Sequence, residues 1–160
     1  MPADLAPSPA SEAAPATLDR DDLGFLLAKA TQRWNELLAE RFAAAGYGEI
    51  RASYGSALLP LFEEDGLRMG ELARRARLSK QTMTELVRRL ERDGLVERRS
   101  DPRDGRASLV VLTARSRAFE PVAAAVLGEL DRLVGRTLDS ERLEELKSAL
   151  RELVSLGEEG

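Results

Sequence analysis

From Leu23 the apolar residues Leu26, Leu27, Ala30, Trp34, Leu37 and Leu38 recur at three- and four-residue steps, the spacing of one buried helix face. Asp19 or Asp21 is placed to open this helix, and the alanines and Gly46 near its far end lead into the loop GYGEI. A second helix is predicted over residues 50–63 with Tyr54, Leu58, Leu61 and Phe62 inward, where Pro60 implies either a kink or a shortened last turn. Met69, Leu72, Ala73 and Ala76 then stand at i, i+3, i+4 and i+7, giving a short helix with one apolar side. Leu78 is suited to plug the tight break that follows. Ser79 can cap a further helix in which Met83, Leu86, Val87 and Leu90 repeat the spacing, with Gly94 as its left-handed C-cap. Two short amphipathic helices across a tight turn make a helix-turn-helix.

Beyond it, residues 95–99 and 107–112 read as two strands rich in Val and Leu. The polar segment SDPRDGR between them is longer than a tight hairpin turn and predicts an extended tip. Thr113 can cap the next helix, which runs through Phe119, Val122, Ala125, Val126, Leu130 and Leu133 and is expected to bend at Pro121. A last helix follows Asp139 or Ser140. Its Leu143, Leu146, Leu150 and Leu153 are three, four and three apart, a coiled-coil-like stripe suited to a partner helix.

Composition narrows the chemistry. The 160 residues contain no Cys, which fits a reducing compartment and removes thiolate catalysis, thiol redox sensing and Cys-ligated zinc. They contain no His, which removes a Ser-His triad and the usual transition-metal sites. No cofactor is called for, and an enzyme is the least supported class: Glu144 and Glu145 fall on a solvated helix face, and no nucleophile lies beside a plausible base. Residues 1–17 hold four of the seven prolines among Ala and Ser and lack the basic start and apolar run of a secretory signal, so residues 1–18 are expected to form a disordered tail. No stretch approaches the roughly 20 apolar residues of a membrane helix, and a soluble, cytoplasmic protein is expected.

The net charge of −4 hides a division along the chain. Of 24 Lys/Arg and 28 Asp/Glu, residues 68–117 carry 14 and 7, leaving 10 and 21 elsewhere. Such a segment is either a solvated helix face or the electrostatic footprint of a nucleic-acid binder. On the second helix of the pair, Lys80, Gln81, Thr82, Thr84 and Arg88 lie away from the apolar set, where a helix inserted in a major groove meets base edges. Gln reads adenine and Arg guanine. Ser79 and the backbone N–H groups at the helix start are suited to phosphate. Arg103 and Arg106 at the hairpin tip, flanked by Arg98 and Arg99, place guanidinium groups where they can reach a minor groove or its phosphates. Asp101 and Asp104 are placed to orient those forks by bidentate pairing. An exposed turn closed by its own salt bridges is the other reading of the same residues.

The run GELARRARLSKQTMTELVRRLERDGLVERRSDPRDGRASLVVLT resembles the MarR family of regulators, with a Leu-Ala helix, a Ser-capped recognition helix, a Gly-Leu-Val-x-Arg junction, an Asp-x-Arg-Asp-x-Arg wing and a Leu-Thr exit. The resemblance implies a mainly α fold with a small β-hairpin: a winged helix-turn-helix DNA-binding region at 49–113, flanked at 19–48 and 114–157 by interlocking dimerisation helices. It implies a homodimer on successive major grooves, with Arg106 the first choice for the minor groove, braced by Asp104 or Asp101. The apolar stripes of the first and last helices, longer than a small winged domain can cover, point to a partner chain on their own; folding back over one core is the alternative. The family also implies a small aromatic or anionic effector, for which Trp34, Phe42, Tyr47, Arg51, Tyr54 and Phe62 gather aromatic faces and one cation. Aromatics at helical spacing also serve as core, and Arg51 has Glu49 as a neighbouring acid. The expected function is a sequence-specific regulator of double-stranded DNA, a repressor on a pseudo-palindromic operator; the alternative is a winged interaction module without DNA readout.

Overall fold

A computed structural model of the chain describes residues 19–157; the tail expected at 1–18 lies outside the described residues. Two compact units meet within the first helix, α1 (Leu23–Ala44), between Arg33 and Trp34. In the first unit the cap of α1 is Asp22, not Asp19 or Asp21: its carboxylate accepts the N–H of Gly24 at 2.9 Å. Leu23, Phe25, Leu26 and Leu27 are all exposed there, from 37% to 58%.

The second unit begins as α1 buries Leu38 and Phe42. The helix stops where Gly46 adopts φ 87° and the N–H of Tyr47 returns to the carbonyl of Phe42 at 2.8 Å. A single 3-10 turn (Ala52–Tyr54) precedes α2 (Gly55–Glu63), so the helix expected from Ile50 starts later. Tyr54, Ala57, Leu58, Pro60 and Leu61 are buried while Phe62 is half-buried. Helices α3 (Met69–Arg75) and α4 (Lys80–Arg92) form the helix-turn-helix. The turn between them is closed by the N–H of Leu78 donating to the carbonyl of Ala73 at 3.0 Å, which holds Arg77 at φ 54°. The same closure ends α4: Gly94 sits at φ 74°, and the N–H of Leu95 reaches the carbonyl of Leu90 at 2.9 Å.

A three-stranded antiparallel sheet follows, ordered β1 (Leu67–Arg68), β3 (Asp104–Leu112), β2 (Val96–Asp101). Strand β1 has no counterpart in the sequence reading, since two residues carry no periodicity. The extended tip also needs correction. The strands run into a turn of two residues, Pro102 and Arg103, because Asp101 pairs with Asp104. The register then jumps to Ser100 opposite Ser108, which leaves Gly105, Arg106 and Ala107 with no residue across from them.

Helix α5 (Ala114–Val154) is capped by Thr113 and broken at Asp139, whose φ of 62° and ψ of 169° leave the helical region. The break falls where a last helix was expected to start, after Asp139 or Ser140, whereas Pro121 sits inside the helix with no break in its backbone. Asp139 restarts the helix by accepting the N–H of Arg142 at 3.0 Å. Lys147 bonds Asp131 at 2.7 Å, whereas 16 residues of straight helix would separate them by about 24 Å, so the last segment folds back along the first. Among the described residues no helix is long and apolar enough to cross a membrane, and no buried side-chain polar atom lacks a partner.

One buried polar contact ties the first half of this unit to the end of α4. The hydroxyl of the fully buried Tyr54 donates to Asp93, the residue that closes α4. That bond holds the Asp93 carboxyl below its usual range, while burial, and then the same bond, push the Tyr54 phenol up. Tyr54→Phe removes the bond and keeps the ring, and is expected to lower unfolding free energy by about 1–2 kcal/mol in urea titration at neutral pH. A depressed carboxyl contributes stability above its unfolded pKa and loses it as pH falls through the folded one, so the gap between wild type and variant narrows in acid. A gap that widened below pH 4 would contradict the assignment.

Candidate nucleic-acid interface

Helix α4 owes its orientation to four residues. Met83, Leu86, Val87 and Leu90 are buried on one side, which turns Gln81, Glu85, Arg88 and Arg92 outward on the other. At the helix start, the Ser79 hydroxyl accepts the N–H of Thr82 at 3.1 Å and lies 2.7 Å from the Thr82 hydroxyl. Thr84 is half-buried and donates back to the carbonyl of Lys80 at 2.7 Å. The six helix candidates thus divide. Ser79, Thr82 and Thr84 are engaged in shaping the helix, whereas Lys80, Gln81 and Arg88 are exposed and make no side-chain bond to the described residues. Glu85 and Arg92 share the outward face and were missed by a reading that looked for cations and amides near the N-terminus.

The wing is held differently from expectation. Asp101 is 6% exposed, and its carboxylate accepts the N–H of Arg103 at 2.9 Å and the guanidinium of Arg68 at 2.8 and 2.6 Å. Asp104 accepts the N–H of Arg106 at 3.1 Å. Both carboxylates fix the backbone of the tip. Neither pairs with the fork of Arg103 or Arg106, which leaves both guanidinium groups exposed. The Arg103 N–H first, and then Arg68, hold the Asp101 carboxyl below the usual range. Farther down the strand, Arg98 pairs with Glu91 of α4 at 3.3 Å and Arg99 with its neighbour Glu97.

Ion pairing sorts the 14 basic residues of this segment. Arg68, Arg74, Arg75, Arg92, Arg98, Arg99, Arg115 and Arg117 are paired with acids. In the tightest case, bonds first from Arg74 and then from Arg75 lower the Glu71 pKa to about 2. Arg77 donates to the carbonyl of Val154. Lys80, Arg88, Arg89, Arg103 and Arg106 remain without an acid among the described residues. They are the residues of the outward helix and the hairpin tip, so the unneutralised positive charge coincides with the two elements that can enter grooves.

A separate pocket of about 360 Å³ opens between α1, α2 and α5. Four of the six residues expected there line it, namely Trp34, Phe42, Arg51 and Phe62, joined by Phe119. Tyr54 is core. Tyr47 stacks against Phe119 at 5.0 Å under the guanidinium of Arg115. Glu49 is also taken by Arg115, so Arg51 stands exposed at the pocket edge with no ion pair to a described residue.

Fold and exposed charge together define a winged helix-turn-helix DNA-binding protein. The sequence profile of the MarR family matches residues 60–107. Over 95 residues the chain is 37% identical to the HTH-type transcriptional repressor Rv2887 of Mycobacterium tuberculosis, covering 59% of this chain and 68% of that one. A probable transcriptional regulator from Pseudomonas aeruginosa superposes with a TM-score of 0.72 at 32% identity, over 83% of this chain and 97% of the other. The S. aureus MepR–DNA complex shares the fold at a TM-score of 0.68 and 20% identity, over 86% and 98% of the two chains. The chain belongs to the MarR family, and it is a transcription regulator.

Proposed function

We infer that this regulator is a cytoplasmic repressor that binds a pseudo-palindromic operator as a homodimer, using the regions 19–48 and 114–157 to dimerise and 49–113 to hold DNA. The observation that carries this reading is that, within the basic segment 68–117, the cations without an acid among the described residues all lie on α4 and the wing tip. Lys80, Gln81 and Arg88 meet base edges or phosphates in the major groove, the Ser79 end of α4 sits on phosphate, and Arg103 and Arg106 enter the adjacent minor groove. Selection of bound duplexes from a random pool tests it. The expected consensus is a palindrome whose half-sites lie about one turn, ~34 Å, apart; no enrichment at low salt overturns the reading.

Gln81→Ala or Arg88→Ala is expected to cost about 1–3 kcal/mol on the selected duplex and to relax preference at a single base pair in each half-site. Equal weakening on every sequence, read by competition with scrambled duplexes, would assign that side chain to phosphate. For the pocket, an aromatic carboxylate fits the ring-lined wall with its charge at Arg51. Bound there, it is expected to weaken operator affinity, and Arg51→Ala to abolish that response while leaving binding of DNA alone within about twofold. Calorimetry showing equal ligand affinity in wild type and variant would remove Arg51 from the site.

A further inference from the structure

Strand β1 places Arg68 directly before α3, on the opposite edge of the sheet from β2. Its guanidinium nevertheless ends on the Asp101 carboxylate at the tip of β2, with Nε at 2.8 Å and Nη2 at 2.6 Å, and comes within 4.0 Å of Asp104. Each of those carboxylates accepts one further bond, and the donors are the backbone N–H groups of Arg103 and Arg106. A single side chain rooted at the helix-turn-helix is therefore joined, through two acids, to the main chain of both exposed wing arginines.

We propose that Arg68 is a positioning residue that sets the presentation of the wing, holding the Arg103–Arg106 tip at a fixed place relative to the recognition helix. The proposal rests on the reading that the wing meets DNA. A buried carboxylate needs compensation, and among the described residues the guanidinium on Asp101 is that of Arg68. The forked, two-nitrogen contact also fixes direction, which an ammonium on a flexible stem does not. Because Gly105, Arg106 and Ala107 have no cross-strand residue, the ladder holds this tip beyond Ser100 through the Asp101–Asp104 pair alone. Arg68 and the two acids supply the rest of that fixation.

A mutant cycle on the selected duplex separates this role from a direct phosphate contact. Arg68→Ala is expected to weaken binding about tenfold in the wild-type background and less than about twofold when Arg106 is already alanine, because both changes then act on one contact. In free protein, amide exchange at Arg103 and Arg106 is expected to quicken in Arg68→Ala, a readout that does not involve DNA. Arg68→Lys retains the charge and the fold and is expected to recover less than half of the lost binding free energy. Additive losses in the cycle would make Arg68 a phosphate contact and overturn the proposal. So would unchanged exchange at both amides, or full rescue by lysine. If Arg106→Ala and Arg103→Ala each leave binding intact, the wing reading itself fails, and exchange at the two amides alone decides whether Arg68 sets the tip.

Discussion

Arg106→Ala is expected to weaken operator binding by about 1–3 kcal/mol and to reduce the slope of log K against log salt by about one, with the dimer unchanged. Arg106 is exposed, stands in the three-residue bulge of β3, and has its backbone N–H anchored by Asp104 while its guanidinium pairs with no acid among the described residues. A side chain so placed loses nothing in the free protein when it is shortened, and the whole effect falls on the complex. Arg99 is the control. It lies on the same hairpin but is closed by Glu97, so Arg99→Ala should change affinity less. Fluorescence anisotropy at four salt concentrations measures both slopes. Parallel lines for wild type and Arg106→Ala would move the proposed minor-groove contact elsewhere, with Arg103 next in line.

The same hairpin marks where sequence reading stops. Both ends of α4 were readable because their signals are local: a Ser three residues before the Thr82 N–H, and a Gly where a left-handed residue was required after the helix. The apolar faces of α3 and α4 were readable because four residues at fixed steps set them. Other features depend on atoms distant in the chain. Strand β1 exists because Leu67 and Arg68 meet Val110 and Leu109 across more than 40 residues, and two residues alone show no pattern. Asp101 has three arginines within three positions, Arg98, Arg99 and Arg103, but takes its side-chain partner, Arg68, from 33 positions away. Arg77 stands at a left-handed position that sequence rules reserve for Gly or Asn, so its turn was recognised by what flanked it. Tyr54 and Tyr47 were grouped with the pocket aromatics by proximity in sequence. Tertiary packing sends one to Asp93 and the other to Phe119.

If the proposed homodimer assembles through this stripe, aspartate at both Leu146 and Leu150 is expected to convert it to monomer at micromolar concentration and to lower affinity for the selected palindrome by 10²–10⁴, the avidity of two linked half-sites. The last segment of α5 folds back so that Leu143 packs toward Gly135 and Lys147 bonds Asp131, which uses one side of the helix. Leu146, Leu150 and Leu153 remain 42%, 37% and 37% exposed, with Val154 at 65%. Covering what is left of a leucine side chain at these exposures contributes on the order of 1 kcal/mol, or about 4 kcal/mol for two positions in each of two chains. Burying four unpaired carboxylates would add several kcal/mol more against association. Both side chains are exposed and outside the buried core, so the thermal transition of each protomer should persist and separate lost assembly from lost fold. Sedimentation equilibrium gives the mass, and binding to a half-site should survive in the monomer. A double variant that sediments as a dimer would show that this stripe is not the interface, and would leave the exposed start of α1 to be tested in the same way through Leu23 and Leu27.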